Sequence, residues 1–156
     1  MPHGVVSEIV PATSAEVFQL LHDYQRRLEW DTLLAEAYLT DGWQAAAPGA
    51  IAVCKGKSRW GGIALKTVYI SFRPSEVAAV KMVNRPRFFD SFATTIRHGD
   101  LPEGKSSVEY TFTFRARPAW LRFLLHPVMK RIFASETKKR LVALREWFES
   151  KNARKF

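Results

Sequence analysis

The hydrophobic period of this chain is two through its long middle and helical over its last quarter, and that pattern bounds the fold. Between Leu34 and Arg117 apolar and polar residues alternate in short runs: Leu34–Thr40, Ala50–Arg59, Ile63–Phe72, Glu76–Val83, Phe89–His98 and Ser106–Arg117. Turn chemistry separates them, with Asp41-Gly42, Gly61-Gly62, Arg73-Pro74-Ser75, Asn84-Arg85-Pro86 and the stretch from Gly99 to Gly104. Connections this short join antiparallel neighbours, because a parallel crossover needs a dozen residues or more. After Pro118 the pattern turns helical, and no glycine interrupts Ala119 to about Lys151, although His126-Pro127 marks its first half. One more alternating segment, Val5–Val10, precedes Pro11. Thr13 and Glu16 then stand at capping-box spacing, and Val17, Phe18, Leu20 and Leu21 keep helical spacing, which predicts a helix over Ser14–Asp23. A second short helical piece carries Leu28 and Trp30 and ends near Asp31. The order predicts an α+β fold: a curved antiparallel sheet of seven strands wrapped around a long C-terminal helix, with two short helices after the first strand. Too few helices are present for a doubly wound sheet.

At 156 residues with 47% hydrophobic and 25% charged side chains, the chain reads as a single domain over 1–156. Cys54 is the only cysteine, which excludes an internal disulfide and a cysteine-based structural zinc site. His3, His22, His98 and His126 are scattered without metal-ligand spacing, and no metal or cofactor is expected. No Gly-x-Ser-x-Gly elbow or glycine-rich phosphate loop occurs. Met1–Val10 lacks the basic and apolar regions of a signal peptide, and no uncharged apolar run approaches the ~20 residues of a membrane span. These readings predict a soluble, cytoplasmic protein.

The segment Ser14-Ala15-Glu16-Val17-Phe18, followed by Arg27-Leu28-Glu29-Trp30-Asp31, resembles the opening of the START/Bet v 1-like (SRPBCC) superfamily. The stretch from Glu136 to Glu149, with Leu141, Leu144 and a closing glutamate, is similar to that group's terminal helix. The order of elements agrees over essentially the whole chain. The resemblance implies a helix-grip fold with a deep cavity for apolar ligands, and functions that range from lipid and polyketide binding to cyclase or dehydrase chemistry. Fold alone does not choose among them.

Aromatic residues make up 13% of the chain. On the last strand Val108, Tyr110, Phe112 and Phe114 share one face, and on its neighbour Phe88, Asp90, Phe92, Thr94, Ile96 and His98 would share another. Polar groups among apolar rings are the composition of a ligand pocket. Trp30, Trp60 and Tyr69 from flanking elements, with Leu125 and Met129 from the terminal helix, complete the candidate lining. Lys55, Lys57 and Arg59 read as a solvated strand face, so Cys54, Gly56 and Ser58 would point inward and widen the space. A cyclase or dehydrase would need an acid or base within reach, and Asp90 and His98 are the candidates, with Tyr110 as a hydrogen-bond donor.

The formal charge is +9, and its placement is uneven. Met1–Phe114 holds twelve basic and twelve acidic residues, whereas Arg115–Phe156 holds twelve basic residues against Glu136, Glu146 and Glu149. The apolar residues of the terminal helix do not form one stripe. Either the helix bends near Ala134–Glu136, or its first half is apolar on more than one face. Arg131, Lys138 and Arg145 recur every seven positions, on a face read as near the side opposite Leu141 and Phe148, which predicts an exposed basic face. Basic helices of this kind touch anionic membranes, so peripheral membrane contact is one expected partnership. An apolar small molecule is the other. No recognition motif accompanies the charge, so nucleic acid is not expected. The leading reading is a carrier of a lipid, quinone or polyketide-like compound, and the alternative is a cyclase or dehydrase using the same pocket.

Overall fold

The computed structural model describes residues 2–57 and 63–154. In chain order the elements are β1 (His3–Val10), α1 (Ser14–Leu21), α2 (Arg27–Trp30), β2 (Leu34–Leu39), β3 (Ile51–Gly56), β4 (Ala64–Arg73), β5 (Val77–Met82), β6 (Phe89–Leu101), β7 (Lys105–Ala116) and α3 (Arg122–Ala153). The strands form one curled seven-stranded sheet in the order β1-β7-β6-β5-β4-β3-β2. Every neighbouring pair is antiparallel. β2 to β7 form a meander, and β1 closes the far edge against β7. This is the α+β architecture expected from the sequence pattern, and the helix-grip fold that the resemblance implies.

Local chemistry sets the boundaries. Thr13 Oγ1 accepts from the backbone N–H of Glu16 at 3.3 Å and caps α1. The helix buries Val17, Phe18, Leu20 and Leu21, and ends at Leu21 with His22 as its C-cap, two residues short of the expected reach. Inner positions of β7 from Ser106 to Ala116 alternate with outer ones along the whole strand. β1 carries Gly4 opposite Phe112, and a Cβ there would overlap the Phe112 ring, so the glycine lets this ring lie flat over the edge strand.

α3 lies against β1 and β7, on one side of the sheet. Leu141, Leu144 and Phe148 from its second half pack with Val10, Val17, Leu21, Trp30 and Val108 to form the main core. The helix is unbroken from Arg122 to Ala153, and its first half is apolar on more than one face, with Phe123 and Leu124 exposed while Leu125, Met129 and Phe133 face the cavity. Phe133 anchors that half by resting against Phe89, Phe92, Phe112 and Phe114 at ring distances of 5.1–5.8 Å. The exposed basic face needs correction. Lys138 Nζ reaches Glu8 of β1 at 2.8 Å, and Arg145 reaches the same carboxylate at 3.1 Å. At about 100° per residue these two side chains flank Leu141 instead of opposing it, which lays them over the edge strand. Arg131 and Lys138 stay exposed, Lys138 while bridged to Glu8, and Arg145 is half-buried.

One ion pair joins the helices. Asp31, fully buried, takes Arg27 Nε at 2.9 Å from α2 and Arg140 Nε at 2.9 Å from α3. Its other oxygen accepts from the backbone N–H of Leu33 at 3.2 Å. Burial alone would raise the Asp31 carboxyl, but the Arg140 and Arg27 guanidiniums outweigh it and hold the group below its ordinary range. Removing this carboxylate strands two guanidiniums, Arg27 being fully enclosed. Asp31→Asn should therefore cost about 3–5 kcal/mol, read from urea unfolding. An unchanged midpoint would show that the ion pair does not hold α2 to α3.

Candidate functional site

A cavity of about 460 Å³ lies between the inner sheet face, the C-terminal end of α1, α2 and the first half of α3. Strand register explains which side chains reach it. Thr94 pairs with Phe112 and Ile96 with Tyr110 across β6 and β7, so all four point to the same face and line the space, joined by Phe92. Tyr69 of β4 and Leu125 and Met129 of α3 also border it. Cys54 and Gly56 lie on the wall as the strand alternation requires.

Other candidates are placed elsewhere. A β-bulge between Phe89 and Ser91 shifts the phase of β6, turning Phe89 inward and carrying Asp90 to the rim. There Asp90 pairs with Arg85 and, at 3.5 Å, with Arg122. Trp30 is buried behind the cavity, in the core beneath α3, with Arg27 over its ring at 5.0 Å. Phe114 is shielded by Phe133 and His126. His98 is inside the sheet but packs on Phe18, at a ring distance of 5.2 Å, away from the cavity lining. Trp60 and Ser58 lie outside the described residues.

The polar part of the wall is one that alternation does not reveal. His22 Nδ1 lies 2.8 Å from the Tyr69 hydroxyl, which lies 2.7 Å from the Tyr24 hydroxyl. All three residues border the cavity, together with Arg27 and Arg140. His22 follows Phe18 at i+4 and so continues the inward stripe of α1, a signal present in the sequence. Arg27 and Arg140 give no comparable signal, since a basic residue on a helix reads as solvated. Burial, reinforced by the Arg27 charge, pushes the His22 imidazole well below its ordinary pKa, and burial pushes the Tyr69, Tyr24 and Tyr110 phenols up. Burial raises the Cys54 thiol as well. At neutral pH His22, Tyr69 and Tyr24 form an uncharged row of donors and acceptors beside the Arg27 and Arg140 guanidiniums, in a mostly apolar space. Among the described residues no three His, Cys, Asp or Glu side chains converge as a metal site. Among the same residues no helix is long and apolar enough to cross a membrane.

A curled antiparallel sheet closed over a cavity by one long helix defines the START-like, helix-grip class of proteins. A family model described as polyketide cyclase/dehydrase and lipid transport matches residues 1–149, and the chain belongs to that family. No curated protein matches the chain in sequence. Solved structures share the fold at low identity. XoxI from Bacillus cereus superposes with a TM-score of 0.78 at 17% identity, over 97% of this chain and 99% of that one. A START superfamily protein from Mycobacterium smegmatis gives 0.74 at 11%, over 95% and 97% of the two chains. The Zhui aromatase/cyclase from a Streptomyces species gives 0.76 at 15%, over 95% and 93%.

The buried imidazoles carry a pH signature. Burial lowers the His98 pKa to about 4, and both ring nitrogens lack a partner among the described residues. An unfolded histidine titrates near 6.5, so the unfolded chain binds a proton that the folded chain refuses between those values. Stability should be complete above about pH 6.5 and fall as pH drops toward 4. His98→Phe, placed beside Phe18, should flatten that part of the curve in urea unfolding at pH 7 and pH 4.5. A wild-type midpoint that does not move over this interval would contradict the buried neutral histidines.

Proposed function

We propose that the protein binds and carries an apolar small molecule, of lipid, quinone or polyketide-like character, in the cavity between the sheet and α3. The observation that carries this reading is the composition of the wall: mostly aliphatic and aromatic side chains, with a hydrogen-bonded row at His22, Tyr69 and Tyr24 and the guanidiniums of Arg27 and Arg140 beside it. Apolar burial supplies the binding energy at roughly 25 cal/mol per Å² of surface, and the polar row fixes which end of the ligand enters first. Membership of the polyketide cyclase/dehydrase and lipid transport family supports an apolar ligand. The carrier works in the cytoplasm and exchanges its cargo at an anionic membrane, met by the basic first half of α3.

The second reading, cyclase or dehydrase chemistry, is favoured by the His22–Tyr69–Tyr24 chain. A neutral imidazole hydrogen-bonded to a phenol can move a proton to or from a bound carbonyl compound. Asp90, ion-paired at the rim, has no part in it. Under this reading Tyr69→Phe abolishes turnover and spares binding.

Thr94 offers the direct test, because its side chain is short, inward and at mid-strand. Thr94→Phe should fill the cavity and weaken binding of a fluorescent polycyclic probe at least tenfold, with the urea midpoint within about 1 kcal/mol of wild type. Phe114→Leu, behind the wall, should leave probe affinity within threefold. Equal affinity of Thr94→Phe and wild type would refute the cavity as the binding site.

A further inference from the structure

The outer side of α3 near its start is apolar and uncovered. Trp120, in the 3-10 turn Ala119–Leu121 that leads into α3, is 74% exposed, and Phe123 is 75%, Leu124 56% and Val128 57% exposed. These four are not scattered: Trp120–Phe123, Trp120–Leu124 and Leu124–Val128 stand at i,i+3 or i,i+4 spacing and adjoin on the surface. Phe88, 44% exposed, comes from the β5–β6 connection, where it adopts a φ of 71°. The two segments are tied together, since the Arg117 backbone N–H donates to the Phe88 carbonyl at 3.1 Å and Arg122 Nε donates to the Ala116 carbonyl at 2.7 Å. Phe88 and Val128 both line the cavity and both reach solvent, so the cavity opens beside this patch.

The charge around the patch has one sign. From Tyr110 to Ser135 the chain holds Arg115, Arg117, Arg122, Lys130 and Arg131 and no acidic residue, and Arg85 and Arg87 flank Phe88. Asp90 is the one acid in this region, and it is ion-paired with Arg85 and Arg122. Arg131 lies one turn from Val128 and two from Leu124, so its charge projects from the border of the apolar surface. Tryptophan and phenylalanine ringed by arginine and lysine match the acyl boundary and anionic headgroups of a bilayer, whereas a dry protein core would leave the surrounding guanidiniums unpaired.

We infer that this face is a membrane-docking surface: Trp120, Phe123 and Leu124 enter the headgroup–acyl boundary of an anionic bilayer, and the cavity mouth is thereby held against the lipid. The purpose of such docking, cargo exchange, rests on the function proposed above, but the docking itself needs no cargo. It also differs from contact through the Lys138 and Arg145 stripe, because those side chains are engaged by Glu8.

The test is co-sedimentation of the full chain with sucrose-loaded vesicles, either pure phosphatidylcholine or phosphatidylcholine with 30 mol% phosphatidylserine (about that fraction is enough for a strong surface potential). Wild type should partition at least tenfold more strongly onto the anionic vesicles, and added salt should weaken this. Trp120→Ser/Phe123→Ser should lower partitioning at least tenfold. Lys130→Glu/Arg131→Glu should do so at low salt. Val5→Ser/Ile9→Ser, exposed apolar residues on β1, should change nothing. All variants alter exposed side chains, and circular dichroism verifies their fold. Probe binding in solution separates the two proposals: the surface variants keep wild-type affinity, and Thr94→Phe keeps wild-type docking. Equal partitioning onto both vesicle types, or none, overturns the inference. So does a concentration-dependent dimer that Trp120→Ser/Phe123→Ser converts to monomer without any effect of vesicles, which would assign the face to a second copy of the chain.

Discussion

A single helix cannot cover a seven-stranded sheet. Seven strands at about 4.8 Å spacing span roughly 29 Å between their outer axes, and a helix with its side chains is about 10–12 Å across. α3 lies against β1 and β7, so the inner faces of the strands beyond them have no long helix above them. α1 and α2 cover one end of that remainder with Phe18, His22 and Tyr24. The uncovered centre stays open as the cavity, and the curl of the sheet sets its depth. The inner residues of this side are correspondingly small where the short helices come close, with Ala50, Ala52 and Ala78 around Phe18 and Tyr69. The cavity is thus a consequence of how many elements the chain supplies and not of any special residue.

The arrangement needs a brace where the short helices meet the long one, and Asp31 provides it. α2 is one turn long and contributes little stability of its own, since isolated helices this short do not persist in water. Its position is fixed by Trp30 in the core and by Arg27, whose guanidinium also donates to the Leu21 carbonyl at the end of α1 at 3.0 Å. Arg140 brings α3 into the same cluster. α2 and α3 therefore share one buried carboxylate, Arg27 ties the end of α1 to it, and both cations that hold it also face the cavity. Structural support and cavity polarity come from the same atoms. A substitution at Arg27 or Arg140 that changed ligand binding would consequently change stability too, which is why Thr94, with neither duty, is the cleaner probe.

Much of this was legible in the sequence because it depends on local pattern. Alternation along β7 identifies every inner residue from Ser106 to Ala116, since one face of that strand is buried throughout. On β6 the same logic holds from Phe92 to His98 and fails at Asp90, because a bulge is set by partner register against Arg115 and Ala116 and leaves no trace in the strand's own alternation. Trp30 and Phe114 show a different limit: inward-facing is not the same as cavity-lining, and what separates the two is which ring sits in front. For Phe114 that ring is Phe133, more than fifteen residues away in sequence and on another element. The polar row escaped for a related reason. Tyr24 and Arg27 sit in the turn and short helix after α1, where no period is long enough to reveal a face.

The two-sided apolarity of α3 follows from its double duty and from its place in the chain. Its inward side must be apolar to close the cavity through Leu125, Met129 and Phe133, and that requirement accounts for one stripe only. Trp120, Phe123 and Leu124 lie outside it and contribute nothing to the core, being more than half exposed. Exposed aromatic surface of this kind lowers solubility unless charge surrounds it, and the seven basic residues along Arg85–Arg87 and Arg115–Arg131 do so without a matching number of acids. A chain selected only to stay soluble would reach the same end with polar residues at Trp120 and Phe123. Mixed sign would also serve, yet the acids of α3 begin only at Glu136, on the cavity wall and beyond the exposed apolar residues. The apolar and basic residues are therefore confined to the same few turns, on the side of the molecule where the cavity meets solvent.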